Sequence, residues 1–216
     1  MRRSGCVPSW PRVVKSKWRS LSCAAWVGLS VLLLAACSGP GSVKPTVKIG
    51  LSAPFEGLYR DLGYEALYAV RLAVRERNAE GGLGGRYLVE LVALNDLNEA
   101  KTAVEQARKM AVDPGVMGVL GGLSAETALA ALEYERLGLS FLNPKADAIQ
   151  SGSVGTADTS FAAQYGLLSG GAAPGPAAIW AYSAANRMLD AMDAVARSSG
   201  HLTRSEVQSV VGVTDG

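Results

Sequence analysis

Few side chains in this sequence have the chemistry of a catalyst, and their spacing narrows what they can do. Ser124 lies in Gly122-Leu123-Ser124-Ala125-Glu126, at a strand-to-helix turn, but Glu126 stands where a nucleophile elbow needs a second glycine. His201 is the sole histidine, sits beside an expected helix cap, and reads as a surface residue. One histidine and too few thiols leave a zinc site without ligands. There is no GxxxxGK phosphate loop, and the glycine run Gly81–Gly85 follows a helix rather than a strand, so it is not a dinucleotide turn. No metal, cofactor or enzymatic reaction is expected. Ser124 is better suited to binding. At a helix start, a hydroxyl and the free N–H groups of the first turn favour an anion such as a carboxylate. The plainer alternative is an N-cap contributing about 1 kcal/mol.

The most specific single residue is Cys37. Residues 24–34 form an apolar run, long enough for a signal core and short of the roughly 20 residues a spanning helix needs. The run ends in Leu34-Ala35-Ala36-Cys37, which resembles a bacterial lipobox. In that motif the cysteine is diacylated and becomes the mature N-terminus, so Cys37 is the expected lipid anchor. An ordinary secretory signal with an incidental cysteine is the alternative. Residues 1–36 also carry six of the 21 basic side chains, no acid, and the other two cysteines. Without them the chain is net −4 and has no second thiol for a disulfide. The remaining charge does not suit a nucleic-acid groove. Residues 37–44, rich in Gly, Ser and Pro, read as a flexible tether.

From residue 45 on, the pattern alternates. Strands are expected at Val47–Leu51, Tyr87–Leu94, Val116–Leu120 and Leu139–Leu142. The third, a continuous apolar run, suits a strand buried on both faces. Between them lie three helices. The first runs from Asp61 to Asn78, with Leu67, Val70, Ala73 and Val74 inward. A second, with Asn98 as its candidate cap, runs to Val112, and Ser124 opens a third running to Leu137. Four strands linked by helices predict an α/β fold, a doubly wound parallel sheet with helices on both faces. Ligands bind beyond the carboxyl ends of such strands. Here those are Ser52–Tyr59, Asn95-Asp96, Gly121–Ser124 and Asn143–Asp147. After an aperiodic Ser/Gly-rich stretch, helices are expected at Phe161–Leu168, Ala177–Arg197 and near Thr203–Val211.

Several stretches in this order resemble the solute-binding proteins of branched-chain amino acid ABC transporters, the type I periplasmic binding proteins. They are Val47-Lys48-Ile49-Gly50-Leu51 with Ala53-Pro54-Phe55-Glu56-Gly57; Leu72-Ala73-Val74 running to Asn78 and Gly81–Gly85; Val119-Leu120-Gly121-Gly122 leading to Ser124; and Leu142-Asn143-Pro144. Phe161, Tyr165, Tyr182, Ala184, Leu189 and Ala191 resemble that family's returning helices. The resemblance implies a single lobe of the fold: residues 45–147 as its first part, residues 148–159 as a junction where a second lobe is missing, and residues 160–212 as returning helices. It implies a small-molecule solute (an amino acid or amide), ABC permease subunits as partners, and a lipid anchor in the membrane outside the cytoplasm. The family contacts its ligand's carboxylate and ammonium at positions matching Ser124 and the pair Ala146 and Asp147. Asp147 stands where the family has Thr or Ser; it accepts from an ammonium but repels a nearby carboxylate. Tyr59 and Glu56 are candidates to line the cleft, with exposed loop roles as the alternative.

Two functional readings stay open at this level. One is a lipid-anchored, truncated solute-binding component of an importer. The other is a one-lobe sensory or protein-interaction module, or a decayed gene product.

Overall fold

The computed structural model describes residues 43–144, Ile149 and residues 155–214. In chain order its elements are β1 (Thr46–Ala53), α1 (Arg60–Ala79), β2 (Leu88–Asn95), α2 (Ala100–Val112), β3 (Val116–Leu120), α3 (Ala125–Ala128), α4 (Ala131–Arg136), β4 (Ser140–Leu142), α5 (Thr159–Ser169), α6 (Pro176–Ser199) and α7 (Arg204–Thr214). The sheet order is β2-β1-β3-β4, and every pair is parallel. All five residues of β3 are buried, as its unbroken apolar run requires of a central strand.

Each face of the sheet carries its own apolar layer. On one, Leu67, Val70 and Val74 of α1 and Ala178, Ala185, Leu189 and Met192 of α6 cover Ile49 and Leu51. The alanines of α6 let it lie close against α1. Polar links then lock the pair: Tyr182 donates to Glu76 at 2.6 Å, and Arg77 pairs with Asp190. On the other face, Ala103, Ala107 and Met110 of α2 and Tyr134 of α4 pack on Val116 and Val119. Gly50 permits this approach, because a Cβ there would lie 2.5 Å from the Met110 sulfur. Thus the helices after residue 156 return to the sheet built before it.

Three local features fix the strand order in place. The Asn78 side chain donates to Val89 O at 2.8 Å and accepts from Val89 N at 2.9 Å, tying the end of α1 to β2. In the glycine run, Gly81, Gly82, Gly84 and Gly85 all adopt positive φ, which turns the chain from α1 towards β2. The Arg204 guanidinium donates to Val116 O at 2.8 Å, to Ala111 O at 3.1 Å and to Asp113 O, pinning α7 to the turn before β3.

Two expectations need correction. Asn98 does not cap α2: it sits at φ 58°, beside Leu97 at φ 55°, and Glu99 takes the N-cap position without a side-chain bond. The backbone is drawn away because Asn98 N donates instead to the buried Asp96 carboxylate at 2.9 Å. The helix opened by Ser124 also does not run unbroken to Leu137. Ala130 N bonds to Thr127 O at 3.2 Å, a tight three-residue turn, and the helix restarts with Tyr134 N on Ala130 O.

Candidate functional site

The carboxyl ends of the four strands converge on one edge of the sheet, as the parallel topology demands. Their loops are cross-tied. Asn95 Oδ1 accepts from Phe55 N at 2.9 Å and from Leu97 N at 3.0 Å, joining the loops after β1 and β2. Gln106 of α2 donates to Asn95 O at 2.8 Å. The loop after β3 passes against its neighbours through two glycines. A Cβ on Gly121 would sit 2.6 Å from Ser52 O, and Gly122 holds φ 67° while crossing beside Asn143. The frame leaves little room for side chains larger than hydrogen at those two positions.

Beneath it lies a buried polar group that the sequence does not single out. Asp96 is fully buried, and its carboxylate accepts from Asn98 N at 2.9 Å and Ser52 Oγ at 3.3 Å. Burial pushes this carboxyl above its ordinary range, and those two donors only partly offset the effect. Tyr134 is also fully buried, with its hydroxyl beside Ser52. Burial raises that phenol too, with the Asp96 charge adding to the rise. The ring stacks on Phe141 at 4.3 Å. The only sequence signal for this group was the position of Asn95-Asp96 at a strand end; Tyr134 lies ten residues after Ser124, in a helical stretch that no motif marks.

Ser124 sits at the end of β3, half-buried, as the N-cap of α3. Its hydroxyl accepts from Thr127 N at 3.4 Å and lies 3.3 Å from Thr127 Oγ1, which in turn accepts from Ser124 N at 3.3 Å. This is a reciprocal capping box with threonine in the acidic residue's usual place. Because α3 has only four residues, its dipole is small. Ser124 therefore offers a hydroxyl and a few local N–H groups rather than the pole of a long helix. Tyr59 is 46% exposed at the N-cap of α1 with no side-chain cap bond, and Glu56 is exposed. No hydrogen bond among the described residues joins Tyr59 to Ser124. Ala146, Asp147 and Cys37 lie outside the described residues. His201 is exposed, with Nε2 3.7 Å from Glu206. Among the described residues no group of three or more His, Cys, Asp or Glu could hold a metal ion.

A parallel sheet with helices on both faces and cross-tied loops at its strand ends is an α/β lobe of the periplasmic-binding-protein type. Residues 46–156 match the family model described as Periplasmic binding protein, and the chain belongs to that family. Over 111 residues it is 32% identical to Leu/Ile/Val-binding protein homolog 7 of Brucella abortus (strain 2308); the alignment spans 51% of this chain and 27% of that protein. The chain thus matches only about a quarter of the length of that curated relative. Two solved structures share the fold. One is a Rhodospirillum rubrum protein assigned provisionally to branched-chain amino acid ABC transport, with TM-score 0.66 and 17% identity, covering 79% of this chain and 90% of the other. The second is the branched-chain amino acid substrate-binding protein LivJ from Streptococcus pneumoniae in complex with isoleucine, with TM-score 0.63 and 13% identity, covering 77% and 87%.

Proposed function

We propose that this chain is a lipid-anchored, extracytoplasmic solute-binding component of a branched-chain-type amino-acid ABC importer, reduced to one lobe. The observation that carries the reading is the extent of the family match. Residues 46–156 contain all four strands and the three described strand-end loops. In this reading residues 1–36 are a lipoprotein signal and Cys37 carries the lipid. Ser124, Ala146, Asp147 and Tyr59 face the solute, and the permease subunits receive it. The role is binding rather than catalysis: the curated relative is described as a Leu/Ile/Val-binding protein.

For a single lobe the expected affinity is low. Micromolar binding corresponds to about −8 kcal/mol, and losing half the contact leaves about −4, which is millimolar. Calorimetry of the full detergent-solubilised chain with leucine, isoleucine, valine and small amides tests this. Millimolar or weaker binding is expected. A micromolar isotherm would overturn the one-lobe account.

A further inference from the structure

Thr127, in the first turn of α3, is buried to 1% exposure, and its hydroxyl meets Ser124 in three ways. Oγ1 accepts from Ser124 N at 3.3 Å, donates to Ser124 O at 3.4 Å and lies 3.3 Å from Ser124 Oγ. Counting protons separates the two hydroxyls. Thr127 has one proton, and Ser124 O takes it. Ser124 Oγ enters the box as the acceptor from Thr127 N at 3.4 Å. Its own proton has Thr127 Oγ1 as its partner within the box, at 3.3 Å against the roughly 2.7–2.8 Å usual between hydroxyls. That partner is neutral and distant, so the proton leaves it at little cost.

A glutamate commonly fills this position of a capping box. Here it would hold the serine proton in a charge-assisted bond, about twice as strong as a neutral one. It would also set a negative charge beside any carboxylate that approached Ser124. Threonine does neither. The Ser124 side chain is also aimed for use. Its backbone is extended, at φ −131° and ψ 165°, and the preceding Leu123 is buried in the core. Alternation along an extended chain then turns Ser124 out of that core. Ser124 itself is half-buried, so its hydroxyl is within reach of a ligand. Glu126, the neighbouring acid in α3, is exposed, and water screens it.

We propose that Thr127 is a positioning residue of the solute site. It fixes the Ser124 backbone, leaves the Ser124 hydroxyl proton to a carboxylate, and so favours ligands that carry one. This rests on the solute reading above and adds to it a residue that touches no ligand. The four-residue α3 supplies little dipole, so the hydroxyl proton is what the turn offers an anion.

The test uses the full detergent-solubilised chain with labelled amides, titrated with leucine and with leucinamide, which lacks the carboxylate. Leucine is expected to bind about tenfold tighter, with saturable shifts at the Ser124 amide. Thr127→Val keeps the shape and removes the hydroxyl, and should erase most of that preference. Thr127→Ser restores the hydroxyl and should bring the preference back. Thr127→Asp keeps an acceptor for Ser124 N but adds a charge, and should turn the preference towards leucinamide. A loss of stability alone weakens both ligands together, so their ratio separates positioning from packing. If Thr127→Val fails to fold, the Ser and Asp variants still decide. Leucine binding with the same ratio in the Val and Asp variants would overturn this proposal and leave the solute reading standing. No saturable shift with either ligand by about 100 mM in the native chain would overturn both.

Discussion

Tyr182 of α6 donates its hydroxyl proton to Glu76 of α1 at 2.6 Å, across 106 residues of sequence. The Tyr182 ring also stacks on Phe161 at 4.4 Å, so one side chain joins α1, α5 and α6. Burial and the Glu76 carboxylate raise its phenol to about 12, so the proton stays in place at neutral pH. Tyr182→Phe keeps the ring and removes the donor, and should cost about 1.5–3 kcal/mol, the range for a hydrogen bond to a charged group. Denaturant unfolding measures it. If Tyr182→Phe and Glu76→Gln prove additive in a double-mutant cycle, the bond does not contribute.

Arg204 should resist even a conservative change. Its guanidinium serves three backbone carbonyls at once, and a lysine ammonium on a flexible stem cannot match that planar fork. Arg204→Lys is expected to lose about 1–3 kcal/mol and to increase hydrogen exchange in α7 before the sheet.

Asp96 gives the chain a pH dependence opposite to that of most acids. Its folded carboxyl is raised above the ordinary 3.8, so its contribution to stability is full below that value and is lost as pH rises through the raised one. Asp96→Asn keeps the acceptor for Asn98 N without the charge. The variant should melt higher than the native chain near neutral pH, with the gap closing towards pH 4 or so. Glu133, held down to about 2 by Arg136 and Arg108, has the reverse sign, and its contribution is lost only as pH falls below 4.5. Thermal melts across this range check the pair; parallel curves for native chain and variant would exclude a buried Asp96 charge.

Ser124→Ala separates capping from binding. Loss of the capping box should cost about 1 kcal/mol of stability. If the serine also holds the solute carboxylate, leucine affinity should fall by a further tenfold or so. A stability loss with unchanged affinity would leave Ser124 as a cap only.

Cys37→Ser should move the protein from the membrane fraction to the soluble extracytoplasmic fraction, because acyl chains contribute about 0.8 kcal/mol per buried methylene. Unchanged fractionation would remove the anchor from the proposed function.

Much of the fold was legible because its signals are local. Periodicity and length marked the four parallel strands to within one or two residues at most ends, and the inward stripe of α1 emerged buried. The two misread helix starts have non-local causes. Asn98 is diverted by a carboxylate two residues back that is itself buried by the fold, and the break after α3 is a backbone turn with no breaking residue to announce it.

The sequence by itself determined the class. Alternating apolar runs and helical stripes permit a parallel sheet covered on both faces, and the glycines within 81–85 and Gly122 admit turns that other residues resist. Only the tertiary structure decided which polar groups lose water. Asp96, Tyr134 and Glu65 look like ordinary loop or helix residues in the chain. Their charge and hydrogen-bond needs became consequential when β1, α4 and α6 closed over them, because the cost of an unpaired polar group depends on burial, which no single segment sets.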